Sequence, residues 1–331
     1  MRRILAIGLV AAVLVLFFLS GTVWLPLYSI GPGPAREVQP LISVTDHPEY
    51  QSAGRFVMTS VVFKQLTAIG ALFAWLDPHR SVVRRSTVYP SGETPTQEHQ
   101  RAISDMDQSK LNATYVVLSH LLGYPKDHHP GALVDAVVPG CAADGRLYPG
   151  DLIVAIDGTP VGGSAQASKL IQAAPSGDTL TFDIRAGGER QRVDLVRKPC
   201  GGQSKPLVGV SLIPNFPIGV SIQSGDIGGP SAGLMWALGL YDLLTPGDLT
   251  GGRTIAGTGE IGLDGTVYPI GGIQDKIVAA EGAGATVFLV PKGNYADAKA
   301  ASNGSMTLVP VSSFDEALSY LQGTSAGGAQ Q

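Results

Sequence analysis

Two arginines, Arg2 and Arg3, precede about twenty apolar residues at 4–24, a run long enough to cross a bilayer as one helix. Beyond it the pattern becomes that of a globular protein. Gly54-Arg55-Phe56-Val57-Met58-Thr59-Ser60-Val61-Val62-Phe63 reads as a β-strand. Between about 115 and 198, short alternating apolar runs such as 131–138 and 179–185 are separated by turn residues, which predicts a small β-rich domain. Residues 232–244 are rich in helix formers. After the Gly271-Gly272 break, Ile273, Ile277 and Ala280 recur at i, i+4 and i+7, one apolar helical stripe with Lys276 at its edge.

The flanks complete the layout. The apolar run exceeds the roughly 7–15 residues of a signal-peptide core, and Ser20-Gly21-Thr22 offers no Ala-x-Ala cleavage site, so the pattern favours an anchor over a cleaved leader. With its basic flank on the short side, Met1 is expected in the cytoplasm and the body outside it. Residues 25–40 read as a linker, extended over 32–40 by its three prolines, Pro32, Pro34 and Pro40, and 323–331 as a disordered tail. The 331 residues allow two domains, and a net charge of −4 gives no sign of nucleic-acid binding. Cys141 and Cys200 could pair in an oxidising compartment, a question that spacing leaves open.

Candidate chemistry centres on Gly228-Gly229-Pro230-Ser231-Ala232-Gly233. Pro230 pre-sets φ for a first helical turn, so Ser231 is expected at a helix start, where free N–H groups and the dipole favour an oxyanion. By itself this could be an ordinary helix cap. A serine nucleophile also needs a base. Lys276 could serve if burial lowers its pKa, although a lone lysine is ordinarily a solvated surface residue. A histidine triad is disfavoured: His47, His79, His99 and His120 are scattered, and His128-His129 lies in a loop without metal-ligand spacing.

With these motifs in view, residues from about 206 to 321 resemble the proteolytic domain of the Lon family, through Gly229-Pro230-Ser231-Ala232-Gly233, Ala256-Gly257-Thr258-Gly259-Glu260-Ile261, and Val267-Tyr268-Pro269-Ile270-Gly271-Gly272 leading to Lys276. The resemblance implies an α+β fold, Ser231 as nucleophile, Lys276 as general base, Thr258 orienting the amine, and Gly229, Pro230 and Ala232 shaping the turn. Residues 41–114 would supply the N-terminal part of the same body. Isolated domains of that family often depend on oligomerisation, so further copies of the chain join the expected partners.

Val138-Pro139-Gly140, Leu147-Tyr148-Pro149-Gly150-Asp151-Leu152-Ile153 and Ile156-Asp157-Gly158 make residues 115–199 similar to a bacterial PDZ domain, preceding or inserted into the protease body. Such domains bind extended peptides at a sheet edge, often C-termini. The nearest candidate for a carboxylate loop is Leu121-Leu122-Gly123-Tyr124. No Gly-x-x-x-x-Gly-Lys-Ser/Thr phosphate loop occurs in this chain. The expectation is therefore an ATP-independent endopeptidase without metal or organic cofactor, acting on unfolded or membrane-proximal proteins, with the bilayer held through residues 4–24. The rival expectation is a membrane-bound PDZ scaffold with an inactive or gated protease-like body.

Overall fold

A computed structural model describes residue 18 and residues 20–328, apart from 78 and 90–93. Most of the apolar run at 4–24 lies outside the described residues, and among those described no helix is long and apolar enough to cross a membrane.

The larger body is built on one six-stranded sheet. Its strands are β1 (Trp24–Glu37), β3 (Arg55–Thr67) and β4 (Ser81–Arg84) from the first part of the chain, with β11 (Thr254–Gly257), β14 (Val287–Pro291) and β15 (Thr307–Val311) from the last. The order is β15-β14-β11-β3-β1-β4. β3, β11, β14 and β15 run parallel, whereas β1 pairs antiparallel with both β3 and β4. The expected linker at 25–40 is thus mostly an internal strand. Its prolines fall at irregularities, Pro26 at a register shift between Trp24 and Tyr28 and Pro32 and Pro34 at one between Pro32 and Ala35.

Strand alternation sends neighbouring residues to opposite faces. Met58, Ile255 and Leu289 enter one core, while Val57, Ala256 and Phe288 enter another. The first core is filled by α4 (Gly233–Leu244), almost wholly buried and apolar but for Asp242, which accepts from Ser52 and Gln39, together with α2 (Pro95–Leu122) and α7 (Phe314–Gly328). The second is covered by α5 (Ile273–Gly282) and α6 (Tyr295–Ala301). Ile273, Ile277 and Ala280 all face it, as their spacing predicts. The helix α7 continues to Gly328 through the first part of the expected tail: once a turn exists, each further residue adds a hydrogen bond at little extra cost.

The β-rich unit has its own sheet and core. Strands β5 (His129–Val137), β6 (Leu152–Ile156), β7 (Thr179–Ala186), β8 (Glu189–Val196) and β9 (Val210–Asn215) take the order β9-β5-β6-β7-β8. Ala167 and Ile171 of α3 (Ser164–Ala173) share this core with Phe182 and Ile184. Its span differs from the expected 115–199 at both ends. Residues 115–122 continue α2, and 210–215 pair with β5 instead of opening the protease domain. The unit therefore sits between two sets of strands that form one sheet. Leu121-Leu122-Gly123-Tyr124 is a helix end: Gly123 caps α2 in the left-handed region, and the Tyr124 hydroxyl donates to Pro214 O at 2.6 Å.

Cys141 and Cys200 form a disulfide that closes a loop of sequence separation 59. Cross-linking a loop of that size removes chain entropy from the unfolded state. Its reduction is expected to lower stability by about 2–4 kcal/mol, seen as a fall in the melting temperature of the protein under reductant.

Candidate active site

Ser231 and Lys276 belong to elements on opposite faces of the main sheet, and they meet where the sheet ends. Pro230-Ser231-Ala232 form a single 3-10 turn that leads directly into α4. Gly229 enters the turn at φ 87°, a conformation that side chains disfavour. Gly228 lies so close to α2 that an added Cβ would sit 2.7 Å from Ala102 Cβ. On the other face Lys276 occupies the first turn of α5. Between them stands Thr258, the first residue past the end of β11.

The three side chains are in hydrogen-bond contact. Lys276 Nζ donates to Ser231 Oγ at 2.6 Å and to Thr258 Oγ1 at 3.0 Å. Thr258 Oγ1 in turn donates to Ser231 O at 2.9 Å, and Gly259 N donates to the same carbonyl at 2.7 Å. Lys276 is only 3% exposed. Burial disfavours its charged form and pulls its pKa down from 10.5 to about 8. Both partners of the amine are hydroxyls, and the shift comes from desolvation alone. A serine–lysine pair so placed can exchange a proton near neutral pH.

The pair opens onto a cleft of about 700 Å³, bordered by Thr59–Phe63 of β3, His99, Ala102 and Met106 of α2, and the 226–232 loop. The first-turn amides at Ser231 and Ala232 have no carbonyl four residues back within a helix, the arrangement that suits an oxyanion. Every expected site residue lies here: Ser231, Lys276 and Thr258 in contact, with Gly229, Pro230 and Ala232 forming the turn.

Sequence reading missed the support from α2. Ser109 Oγ donates to Pro230 O at 2.9 Å, Asn112 Nδ2 to Ile261 O at 2.9 Å, and Gly229 N to Ala102 O at 2.6 Å. The available signal was Thr94-Pro95 with Gln97, which forms a capping box at the start of this helix.

Residues 215–322, which contain all three contacting side chains, match the model of the Lon protease (S16) C-terminal proteolytic domain. A Lon-type proteolytic domain is present in this chain. Residues 133–185 match a PDZ domain. The Lon-type segment is 44% identical over 93 residues to Lon protease 2 of Herpetosiphon aurantiacus, covering 27% of this chain and 11% of that protein. It is 34% identical over 111 residues to the Lon protease of Rickettsia bellii, covering 32% and 14%. The match thus spans only a small part of those relatives. The PDZ domain of an SdrC-like protein from Listeria monocytogenes aligns with 25% of this chain and 88% of its own length at 26% identity, with a TM-score of 0.24. The Lon-type domain and its relatives support a serine protease.

Thr258 gives a separate test of this geometry. Thr258→Val keeps the shape, and Gly259 N still holds Ser231 O, but the amine loses one of its two positioning contacts. A loss of about tenfold in kcat with little change in KM is expected, in line with one lost hydrogen bond of roughly 1–1.5 kcal/mol, and Thr258→Ser should restore most of it.

Proposed function

We propose that this chain is a membrane-anchored serine endopeptidase that cleaves unfolded or flexible proteins without ATP, using Ser231 as nucleophile and Lys276 as its base. The observation that carries the reading is the 2.6 Å contact between Ser231 Oγ and a lysine buried enough to be neutral part of the time.

In the charged form the amine donates to Oγ; once neutral, its lone pair accepts the hydroxyl proton as Oγ attacks a peptide carbonyl. Amides of the Ser231 turn stabilise the tetrahedral oxyanion, and Lys276 then gives its proton to the leaving amine. Water deprotonated by Lys276 releases the acyl-enzyme.

Several features support the wider reading. The apolar run at 4–24 is long enough to anchor the chain. The Cys141–Cys200 disulfide suits an oxidising compartment, and hence an extracytoplasmic body. The chain carries no phosphate loop, and substrates that are already unfolded need no motor. The PDZ domain would gather extended peptides beside the cleft.

The test is cleavage of unfolded casein by the full chain in detergent without nucleotide, against Ser231→Ala. Wild-type cleavage with the variant at background is the expected result. Equal cleavage by both would assign the activity to another nucleophile, and a folded wild type that cleaves nothing would favour the PDZ scaffold.

A further inference from the structure

The strongest feature outside the catalytic cleft is an apolar surface at the start of β1. Thr67 caps α1 (Ala68–Leu76), whose sequence Ala-Ile-Gly-Ala-Leu-Phe-Ala-Trp-Leu has no charged side chain. Ala74 is buried, yet Leu72 and Leu76 are exposed, Phe73 is 66% exposed and Trp75 is 75% exposed. A soluble helix of this size ordinarily turns such residues into its core, and a contiguous apolar face left outside marks an interaction site.

We propose that this face lies in the membrane interface, a second contact that holds the protease body against the bilayer from which its apolar N-terminal run emerges; this rests on the membrane-anchored reading above.

The occupant follows from where the chain comes from and from the charges around the patch. The apolar run ends at Trp24, 61% exposed, which opens β1 and borders the same groove as Gly21, Phe73 and Ala74. Trp24 pairs with Thr67, the cap of α1, so the end of the run and the apolar helix are adjacent by strand register. A chain leaving a bilayer at Trp24 therefore presents α1 at headgroup depth. Tryptophan is enriched at that level, and both Trp24 and Trp75 are placed for it.

Lys64 and Arg80 border the groove, Arg84 pairs with Leu27 three residues beyond Trp24, and Arg85 follows it. Asp77, the acidic residue of the groove, is held by Arg80 at 3.0 Å. Apolar and aromatic residues rimmed by cations are the composition that binds an anionic lipid surface.

The same strand carries the consequence for catalysis. β3 leads from the cleft wall at Thr59–Phe63 directly into α1, so about five residues, or roughly 17 Å of strand, separate Phe63 from the docked helix. Docking would keep the cleft within reach of flexible segments close to the membrane.

Tryptophan fluorescence tests this in the full chain. The protein has three tryptophans, and Trp236 lies fully buried in the core. The difference between Trp24→Phe and the double variant Trp24→Phe/Trp75→Phe isolates Trp75. Both are reconstituted in phosphatidylcholine/phosphatidylglycerol vesicles, with and without brominated acyl chains. The expected result is loss of Trp75 emission with brominated lipid and no quenching by aqueous iodide.

Iodide quenching without bromolipid quenching, in protein that floats with the vesicles, would overturn the proposal. So would protection from both quenchers, which would place another copy or another part of the chain over the helix. Protein that fails to float would overturn it together with the anchor, and casein cleavage by the same samples reports separately on the Ser231 protease. Both substitutions are at exposed residues, and retained casein cleavage confirms that the variants are folded.

Discussion

Lys276→Met is expected to lose cleavage by a factor on the order of 10³ or more and, at the same time, to make the protein harder to unfold. The first effect follows from removing the one side chain, among the described residues, that touches Ser231 Oγ and can accept its proton. The second follows from the cost of holding an amine in a site that is 3% exposed. A fall in pKa from 10.5 to about 8 corresponds to about 3 kcal/mol of disfavoured charge. Below about pH 8 folded and unfolded chains both carry the proton, and the cost is present in full. Between about 8 and 10.5 the unfolded chain keeps a proton that the folded chain has released, so wild-type stability rises with pH. The advantage of the methionine variant, about 1–3 kcal/mol at pH 7, should therefore shrink across that window and vanish above it. Denaturant unfolding at pH 7, 9 and 10.5 reads the difference. The wild-type kcat/KM should rise through about pH 8 towards a plateau, because only about one lysine in ten is neutral at pH 7.

A chain begun at residue 41 should fail to fold. Proline content makes the preceding segment look dispensable, but Trp24–Glu37 lies between β3 and β4 in the main sheet, and Tyr28, Ser29 and the following Val38 are buried. Without it, β3 exposes a long unpaired edge and β4 has no partner. A domain is ordinarily stable by only about 5–15 kcal/mol, so losing a central strand with its pairing and burial is expected to abolish folding. Thermal unfolding followed by circular dichroism should show no cooperative transition and a marked tendency to aggregate. A cooperative transition close to that of the full chain would show that β1 is an accessory strand. Any soluble form made for kinetics has to retain the chain from Trp24.

What could be read from the sequence was what is written locally. The strand at 54–63, the helix after Ser231, and the stripe at Ile273, Ile277 and Ala280 carry their own periodicity, and the structure contains each. Ser231, Thr258 and Lys276 were found through compact motifs, and they are in contact. The misreadings are non-local. β1 contains Pro32 and Pro34, and only its pairing with β3 shows that the strand absorbs them at a register shift. Helix α2 mixes buried Met106, Ala113 and Val117 with Ser109 and Thr114, polar residues whose partners are carbonyls. Its stripe is therefore diluted where it supports the site. The end of the β-rich unit was displaced because Val210–Asn215 is defined by its partner in β5 and not by any feature of its own.

That same helix gives the molecule a stiff axle. Over 28 residues, about 42 Å, α2 touches the Ser231 turn through Ala102 and Ser109, lines the groove between the two domains with Asp107 and Lys110, and ends where Tyr124 bonds to Pro214 of the PDZ sheet. The Ser231 turn and the edge of the PDZ sheet are thereby hung on one unbroken hydrogen-bonded element.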